Sequence, residues 1–386
     1  MITRIKIKNI NAIKECDLSF EKARYHYLND MVFDDVVSPV ALYGANGSGK
    51  SSFLKAISQL ISLLNSEPDK LMGFIPNLYS LKKAEEMCAK LAAGDGSREF
   101  LEKAIEVAHS SIELSFSLDN RVYDYYIEAS VSRIKKEFLC CNEKTIFLRE
   151  KNKYIYNNST FDIESELYPV LRKLANDEQI GNADIDNAYN YLSRMAFVDD
   201  SQKLYQFKGA VEKSYMDFVV SKSDEVKQIL ASYKNFPLYA VKSKVSADQG
   251  RKQYFATIDV DNDSFELPYD WLSSGMKNQS ALLSVLLMLP EHSAMFVDEI
   301  EDALHPLTIM NFISVAKEKH IQLFFSSHNT YILSKLRPDQ VFFAGWQKGY
   351  SRYKRLSDIY PNIREVNNIE KMYLGCMFDE EINAED

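Results

Sequence analysis

The sequence predicts an α/β protein whose parallel sheet carries a ligand site at its carboxyl edge. A glycine-rich loop at 44–49 stands between a short apolar run, Val40–Tyr43, and a segment with helical apolar spacing, Ser51–Leu64. Two later apolar runs end in polar side chains, at Asp298–Glu299 and at Ser326–His328. Ligand sites of α/β sheets form where parallel strands end, so we expect these groups to meet.

The loop fits the pattern G-x-x-x-x-G-K-[ST], which holds nucleotide phosphates. Its glycines let backbone N–H groups point at phosphate oxygens, and the start of the following helix adds partial positive charge. Lys50 is expected to reach the β- and γ-phosphates, and Ser51 to ligate Mg²⁺. A glycine turn before a helix is the simpler alternative, but a full match between a strand and a helix is rarely accidental. The predicted nucleotide-binding residues of this loop are Gly44, Ala45, Asn46, Gly47, Ser48, Gly49, Lys50, Ser51 and Ser52.

The strand predicted at Ala294–Asp298 ends in two acids. Asp298 is placed to hold Mg²⁺ through a coordinated water, and Glu299 to act as general base for an attacking water. A buried strand can also end in Asp-Glu by chance. Two neighbouring motifs argue against chance: Leu272–Lys277 (LSSGMK) precedes this strand, and an apolar strand that delivers His328 follows it.

The order of these motifs resembles the ABC-type ATPase heads of the RecF and SMC class. More closely, it resembles the compact bacterial AAA family ATPases of the OLD-like group. Asp298–Pro306 (DEIEDALHP) is similar to that group's Walker B and D-loop string, Ile5–Ile13 to its first strand and turn, and Tyr373–Phe378 to its C-terminal ending. The resemblance implies a P-loop NTPase fold of ABC type with an antiparallel β-lobe and a short helical insertion. It also implies ATP and Mg²⁺ as cofactors and slow, regulatory ATP hydrolysis.

The resemblance assigns further roles. Ser273 and Gly275 would contact the γ-phosphate of ATP bound to a second subunit, and His328 would be the switch histidine that senses this phosphate. The catalytic residues would then be Lys50, Glu299 and His328. ATP is therefore expected to join two copies into a head-to-tail dimer or a higher oligomer, and hydrolysis to loosen it.

Three motifs of the family pattern are not assigned by this sequence: the exact signature, the Q-loop and the D-loop residues. The signature reads LSSGM where the family has LSGGQ, so Ser274 and Met276 replace Gly and Gln, and a serine can still donate a hydrogen bond. The Q-loop is sought at Ile75–Asn77, which contains no glutamine. Asp302 stands either at the dimer seam or as an ordinary N-cap before Pro306, and the same two interpretations apply to His305.

Composition limits the class of protein. A hydrophobic fraction of 46%, a charged fraction of 26% and a net charge of −9 are typical of a globular protein and argue against one that coats nucleic acid. Five cysteines, of which Cys140 and Cys141 are adjacent, give neither a disulfide framework nor a zinc spacing, which fits the reducing cytoplasm. The longest apolar run, Ala281–Leu289, is too short to span a bilayer. This alone leaves open a transporter subunit that docks on a separate membrane protein, but we expect no membrane partner.

The chain divides into five expected units. Residues 161–236 form either a protrusion that contacts partners or a compact subdomain packed on the head, and the sequence leaves both open. The units are ATPase lobe I with the P-loop at 1–60, a helical insert at 61–110, an antiparallel β-lobe at 111–160, a helical subdomain at 161–236, and ATPase lobe II with signature, Walker B and switch histidine at 237–386.

Three functions compete. The first is an ATPase sensor or scaffold that controls a separate effector, since no TOPRIM nuclease domain of the kind fused in OLD-type proteins is evident in this sequence. The resemblance to compact subunits of anti-phage defence systems implies that this effector is a nuclease. The second is a RecF-like repair ATPase that binds DNA itself. The third is a transporter ATPase subunit, against which the acidic string at 298–302 and the turn at Asn9 argue.

Three groups of basic residues could contact DNA or be solvated faces. They are Arg133, Lys135 and Lys136; Lys242, Lys244, Arg251 and Lys252; and Lys348, Arg352, Lys354 and Arg355.

Overall fold

The computed structural model describes residues 1–66, 108–199, 204–207, 215–232, 239–245, 252–260, 263–365 and 367–378. Most of the helical insert expected at 61–110 lies outside these ranges, as does the Q-loop position sought at Ile75–Asn77.

Strands make up much of the described part of the chain. The strands are β1 Ile2–Ile10, β2 Ile13–Ser19, β3 Val32–Phe33, β4 Val36–Val37, β5 Val40–Tyr43, β6 Ser110–Leu118, β7 Arg121–Ala129, β8 Ile134–Cys141, β9 Lys144–Glu150, β10 Lys153–Tyr156, β11 Ser159–Asp162, β12 Ala196–Asp199, β13 Leu204–Gln206, β14 Tyr239–Val245, β15 Lys252–Val260, β16 Asp263–Pro268, β17 Ala294–Asp298, β18 Gln322–Ser326, β19 Val341–Gln347 and β20 Tyr350–Arg355.

Helices connect these strands. They are α1 Lys50–Asn65, α2 Val170–Ala175, α3 Ala183–Ser193, α4 Tyr215–Ser221, α5 Ser223–Ser232, α6 Ser274–Met288, α7 Pro306–Glu318, α8 Thr330–Leu333, α9 Leu356–Ile359 and α10 Ile369–Leu374. Within the described ranges, no helix combines the length and apolar character needed to cross a membrane.

Fifteen strands form one sheet, in the order β11-β10-β9-β8-β7-β6-β1-β2-β20-β19-β5-β18-β17-β12-β13. Its centre, β19-β5-β18-β17-β12, is parallel, as expected for an α/β ligand site. The strands from β11 to β2 pair antiparallel, so the expected β-lobe continues the sheet of the ATPase core. In the described part of the chain, β2 and β20 pair in parallel through Ile13 and Ser351.

The core lies on both faces of the parallel strands, because successive side chains of a strand point to opposite faces. Val40 and Leu42 of β5 pack with α1 on one face, in a cluster that extends under the β-lobe. Ala41 and Tyr43 point to the other face, where α6 and α7 cover the sheet. Every residue of β5 is therefore buried, which explains its unbroken apolar sequence.

The structure corrects one expectation and adds one strand. The segment 161–236 is not wholly helical: β12 enters the central sheet and pairs in parallel with β17. All four residues of β12 are buried, so it lacks the alternation that marks a half-exposed strand. The segment Asp263–Pro268, to which the sequence analysis assigned no element, is a third strand on the hairpin β14–β15.

Candidate functional site

The predicted site residues lie at the carboxyl edge of the parallel strands. The P-loop follows β5, Asp298 ends β17, and His328 lies two residues beyond β18. Since β18 pairs with both β5 and β17, three consecutive strands deliver these groups to one edge. The sequence-based expectation that they share one place is thus met by the topology.

Two P-loop glycines are required by close contacts. Gly44 has a φ of 145°, and a Cβ there would lie 2.1 Å from the carbonyl oxygen of Ala344 on β19. Gly49 has a φ of 107°, and its Cβ would lie 2.0 Å from Ser351 Oγ. Tyr353 also donates its hydroxyl to the Gly49 carbonyl at 2.7 Å. The loop is therefore held against the β19–β20 hairpin in a backbone conformation that favours glycine.

The rest of the loop has the properties of a phosphate cradle. Ala45, Asn46 and Gly47 are exposed, whereas Ser48 is buried and its Oγ has no hydrogen-bond partner among the described residues. Lys50 is 6% exposed and donates from Nζ to the carbonyls of Gly44 (2.9 Å) and Ala45 (3.1 Å). An anion in this loop would accept hydrogen bonds from the Ser48 hydroxyl and the Lys50 ammonium group, so these residues fit a nucleoside triphosphate.

Burial lowers the pKa of Lys50, and nearby acids oppose this shift. The opposing groups are Asp298, Glu301 and Glu299, in decreasing order of effect. The ammonium group therefore lies in the field of the acidic string while it bonds to backbone carbonyls.

The two predicted metal residues contact each other. Ser51 Oγ donates to Asp298 Oδ1 at 3.0 Å, and Ser326 Oγ donates to the same oxygen at 2.6 Å. Asp298 is 4% exposed. A hydroxyl and a carboxylate oxygen side by side are ligands that Mg²⁺ accepts, so this pair fits the ion that the ATPase resemblance implies.

Glu299 occupies a strained backbone position. Its φ is 50°, in the left-handed region that is uncommon for residues other than glycine. Its N–H donates to Ser326 Oγ at 2.8 Å, and its side chain is exposed at the sheet edge. Such strain persists where surrounding contacts hold it and clusters at functional sites.

Glu301 belongs to the site although the sequence analysis gave it no role. Its Oε1 accepts a hydrogen bond from the backbone N–H of His328, and its buried Oε2 has no partner among the described residues. Glu301 therefore links the segment after β17 to the start of the His328 segment. Its position in the run Asp298–Asp302 was the only sequence signal available.

Asp199, at the end of β12, is the second residue that sequence reasoning missed. It stands in register with Asp298 on the neighbouring strand and is 1% exposed. The available signal was a repeated tripeptide: Phe197–Asp199 and Phe296–Asp298 both read Phe-Val-Asp.

The signature motif opens helix α6 and contacts the D-loop of its own chain. Ser273 is the N-cap, and its Oγ accepts from the Met276 N–H at 3.3 Å. A Cβ on Gly275 would lie 2.6 Å from the carbonyl oxygen of Ala303. Asn278 also donates from Nδ2 to the carbonyl of Asp302 at 3.0 Å. Glycine at 275 is therefore needed for packing inside the chain.

The structure shows which of the two D-loop residues, Asp302 or His305, caps helix α7. His305 is the N-cap of α7, since its Nδ1 accepts from the Leu307 N–H at 3.2 Å. Asp302 does not cap this helix; it lies in the turn after Glu299, and its N–H donates to the Glu299 carbonyl at 2.9 Å.

The basic clusters differ in their surroundings. Arg355 is 8% exposed and bonds to the carbonyls of Asp339 and Glu21, so it is a structural residue. Four lysines of these clusters form ion pairs with acidic side chains: Lys135, Lys136, Lys244 and Lys252. Arg251 lies outside the described residues.

The sequence matches the family model described as "AAA domain, putative AbiEii toxin, Type IV TA system" over residues 40–334, more than half of the chain. The chain belongs to this family. It is an ATP hydrolase with the P-loop fold of ABC-type ATPases, as the resemblance implied. No curated protein is significantly similar in sequence.

Two solved structures are similar over most of their length. The SMC head domain from Thermotoga maritima has 15% identity and a TM-score of 0.44, and the match covers 92% of this chain and 98% of that one. An SMC head bound to the C-terminal winged-helix domain of ScpA has 14% identity and a TM-score of 0.48, over 92% and 99% of the two chains.

Proposed function

We propose that this ATPase is an ATP-gated switch in which two copies share each nucleotide and the resulting assembly controls a separate effector protein. The observation that carries the proposal is the contact between signature and D-loop. Gly275 and Asn278 tie the start of α6 to Ala303 and Asp302, which follow the Walker B strand. Ser273 and Ser274 remain exposed at that helix start, where free N–H groups suit a phosphate from a second copy.

Each site residue has a role in this proposal. Lys50, with the loop from Gly44 to Ser52, binds the phosphates. Ser51 and Asp298 hold Mg²⁺, which neutralises phosphate charge when bound. Glu299 takes the proton of the attacking water, and His328 senses the γ-phosphate. Ser273 donates its hydroxyl to the γ-phosphate of the opposite copy, beside Gly275.

Two inactive variants test whether the site is shared. Ser273→Asp keeps a helix-capping oxygen but sets a negative charge against the γ-phosphate, and Lys50→Ala empties the P-loop. Each should be inactive alone. Mixed in equal amounts, they form pairs with one intact composite site, and about a quarter of normal turnover should return if sites act independently.

The control is Ser273→Asn, which caps the helix without a charge and should retain activity alone. A mixture of Lys50→Ala and Ser273→Asp with no turnover would contradict the shared site. Activity of Ser273→Asp alone would contradict the role of the signature serine.

The effector part of the proposal is supported by the family description, which names a toxin–antitoxin system and therefore more than one component. We propose a role in anti-phage defence, with a nuclease as effector. The test is co-purification of the Glu299→Gln variant with the product of the adjacent gene, with and without ATP. ATP-dependent retention and a change in that product's nuclease activity are expected; a neighbour that neither binds nor responds would contradict it.

A RecF-like, DNA-binding function is the second candidate, and one surface favours it. Lys14 and Arg352 stand over the ring of Tyr350, at 5.1 and 5.9 Å from its centroid. A hydrogen bond from Arg352, with the charges of Arg352, Lys14 and Lys348, lowers the pKa of Tyr350. Duplex binding that weakens with salt and is lost in Arg352→Glu, but kept in Lys135→Glu, would favour this function over the first.

A further inference from the structure

An ion pair between a buried carboxylate and a partly exposed lysine lies directly beside the proposed metal residue. Asp199 and Asp298 are register partners on the parallel strands β12 and β17, and their side chains are 2% and 4% exposed. Lys55, one helical turn after Ser51 on α1, lies between them. Its Nζ is 3.3 Å from Asp199 Oδ2 and 4.0 Å from Asp298 Oδ2.

The two oxygens of Asp298 have different neighbours. Oδ1 accepts from Ser51 and Ser326, while Oδ2 faces the Lys55 ammonium. Lys50 also lies near this region, since Asp298, Glu301 and Glu299 oppose the lowering of its pKa by burial. Two neighbouring buried carboxylates need a nearby cation, and Lys55 supplies it.

A lysine at this place also competes with a metal ion. An ammonium group that moved fully onto Asp298 would neutralise the carboxylate that is proposed to hold Mg²⁺. The ammonium is nearer to Asp199, which therefore attracts it away from Asp298.

We propose that Asp199 and Lys55 are positioning residues that set the Mg²⁺ affinity of the site: Asp199 retains Lys55 so that Asp298 stays available to the metal. The inference rests on the proposed role of Asp298. It assigns the end of β12 a task in the ATPase cycle that the P-loop and Walker motifs do not contain.

The test measures Mn²⁺ binding in the presence of ATP, by the loss of the free-ion electron paramagnetic resonance signal, in a Glu299→Gln background that does not hydrolyse. Asp199→Asn releases Lys55 onto Asp298, and Mn²⁺ should bind about tenfold more weakly. Lys55→Met removes the competing cation, and Mn²⁺ should bind at least about threefold more tightly. The double variant should return to within about threefold of the parent, because both effects are removed together.

The double variant shows whether Asp199 acts by holding Lys55 or only by adding negative charge to the site. If Asp199→Asn leaves Mn²⁺ affinity unchanged, or if adding Lys55→Met does not restore it, the proposal is wrong. If Asp199→Asn fails to fold, judged by circular dichroism without metal, Lys55→Met decides alone, since its side chain is 30% exposed. Unchanged or weaker Mn²⁺ binding by Lys55→Met would then overturn the inference.

Asp298→Asn distinguishes this failure from failure of the proposed function. If that variant binds Mn²⁺ normally, Asp298 is not the metal residue, and both proposals fall. If Asp298→Asn loses Mn²⁺ while Asp199→Asn does not, only the inference about Asp199 and Lys55 is rejected.

Discussion

At the scale of single residues, Asp298 is the point where the strands and the P-loop helix meet. It ends β17, accepts from Ser51 on α1 and from Ser326 on β18, and faces Lys55. These hydrogen bonds fix the carboxylate before any ligand binds, because three elements must move together to displace it. A buried carboxylate with such support is pre-organised for a cation.

Lys50→Ala should strongly weaken nucleotide binding. Lys50 is the buried cation of the P-loop, and losing its charge-assisted bonds to phosphate should weaken ATP binding about 100-fold, roughly 3 kcal/mol. Binding of a fluorescent ATP analogue measures the change. Lys135→Ala, which removes a surface lysine paired with Glu128, is the matched control and should bind normally. Comparable binding by both variants would exclude the phosphate role of Lys50.

Glu299→Gln should stop turnover while ATP still binds. An amide cannot accept a proton from water, and removing a general base lowers the rate by about 100-fold or more. Steady-state phosphate release and nucleotide affinity, measured on the same sample, separate the two effects. Glu291→Gln makes the same change at an exposed position before β17 and should leave both unaltered. Normal phosphate release by Glu299→Gln would reject the general-base role.

At the scale of elements, the signature helix and the D-loop form one unit. The start of α6 has room only for glycine at 275, against the Ala303 carbonyl, and Asn278 adds a hydrogen bond to the same segment. In the proposed dimer, a movement of the D-loop would therefore shift the signature and link the two shared sites.

Gly275→Ala should disrupt the packing of the signature helix against the D-loop. The added methyl would lie 2.6 Å from a backbone oxygen that cannot rotate away, so the helix start or the D-loop must shift. Overpacking of this kind costs about 1–3 kcal/mol of folding free energy. We expect a lower denaturation midpoint and weaker ATP-dependent association, with normal ATP binding by the single copy. Ser274→Ala, next in the chain and exposed, should change neither quantity; equal behaviour of the two variants would contradict the account.

The elements also show what the sequence could reveal. The P-loop and the Walker B strand were predictable because each is a local pattern of a strand, a turn and a polar end. The strand β12 was not, because four buried residues carry no period. The contacts of Glu301 with the His328 backbone and of Arg355 with Asp339 join residues far apart in the chain, and no local pattern encodes them. His305 as the cap of α7 was left open because histidine is an uncommon N-cap.

At the scale of the whole molecule, one continuous sheet connects the β-lobe to the ATP site. The strands β1 and β2 lead from the lobe to β20, and Tyr353 of β20 bonds to the P-loop at Gly49. The backbone N–H of Ile2 also donates to Oε1 of Gln322, on β18, at 2.7 Å. A change at the phosphate loop thus has a direct structural route into the lobe, where an effector or nucleic acid could sense it.

The central claim is that ATP joins two copies of this chain. The most direct test is the mass of the Glu299→Gln variant by light scattering, with and without ATP–Mg²⁺. We predict a monomer without nucleotide and a dimer with ATP, and Ser273→Asp added to the same variant should keep it monomeric. A mass that ignores ATP, whether monomer or a large assembly, would contradict the shared-site switch.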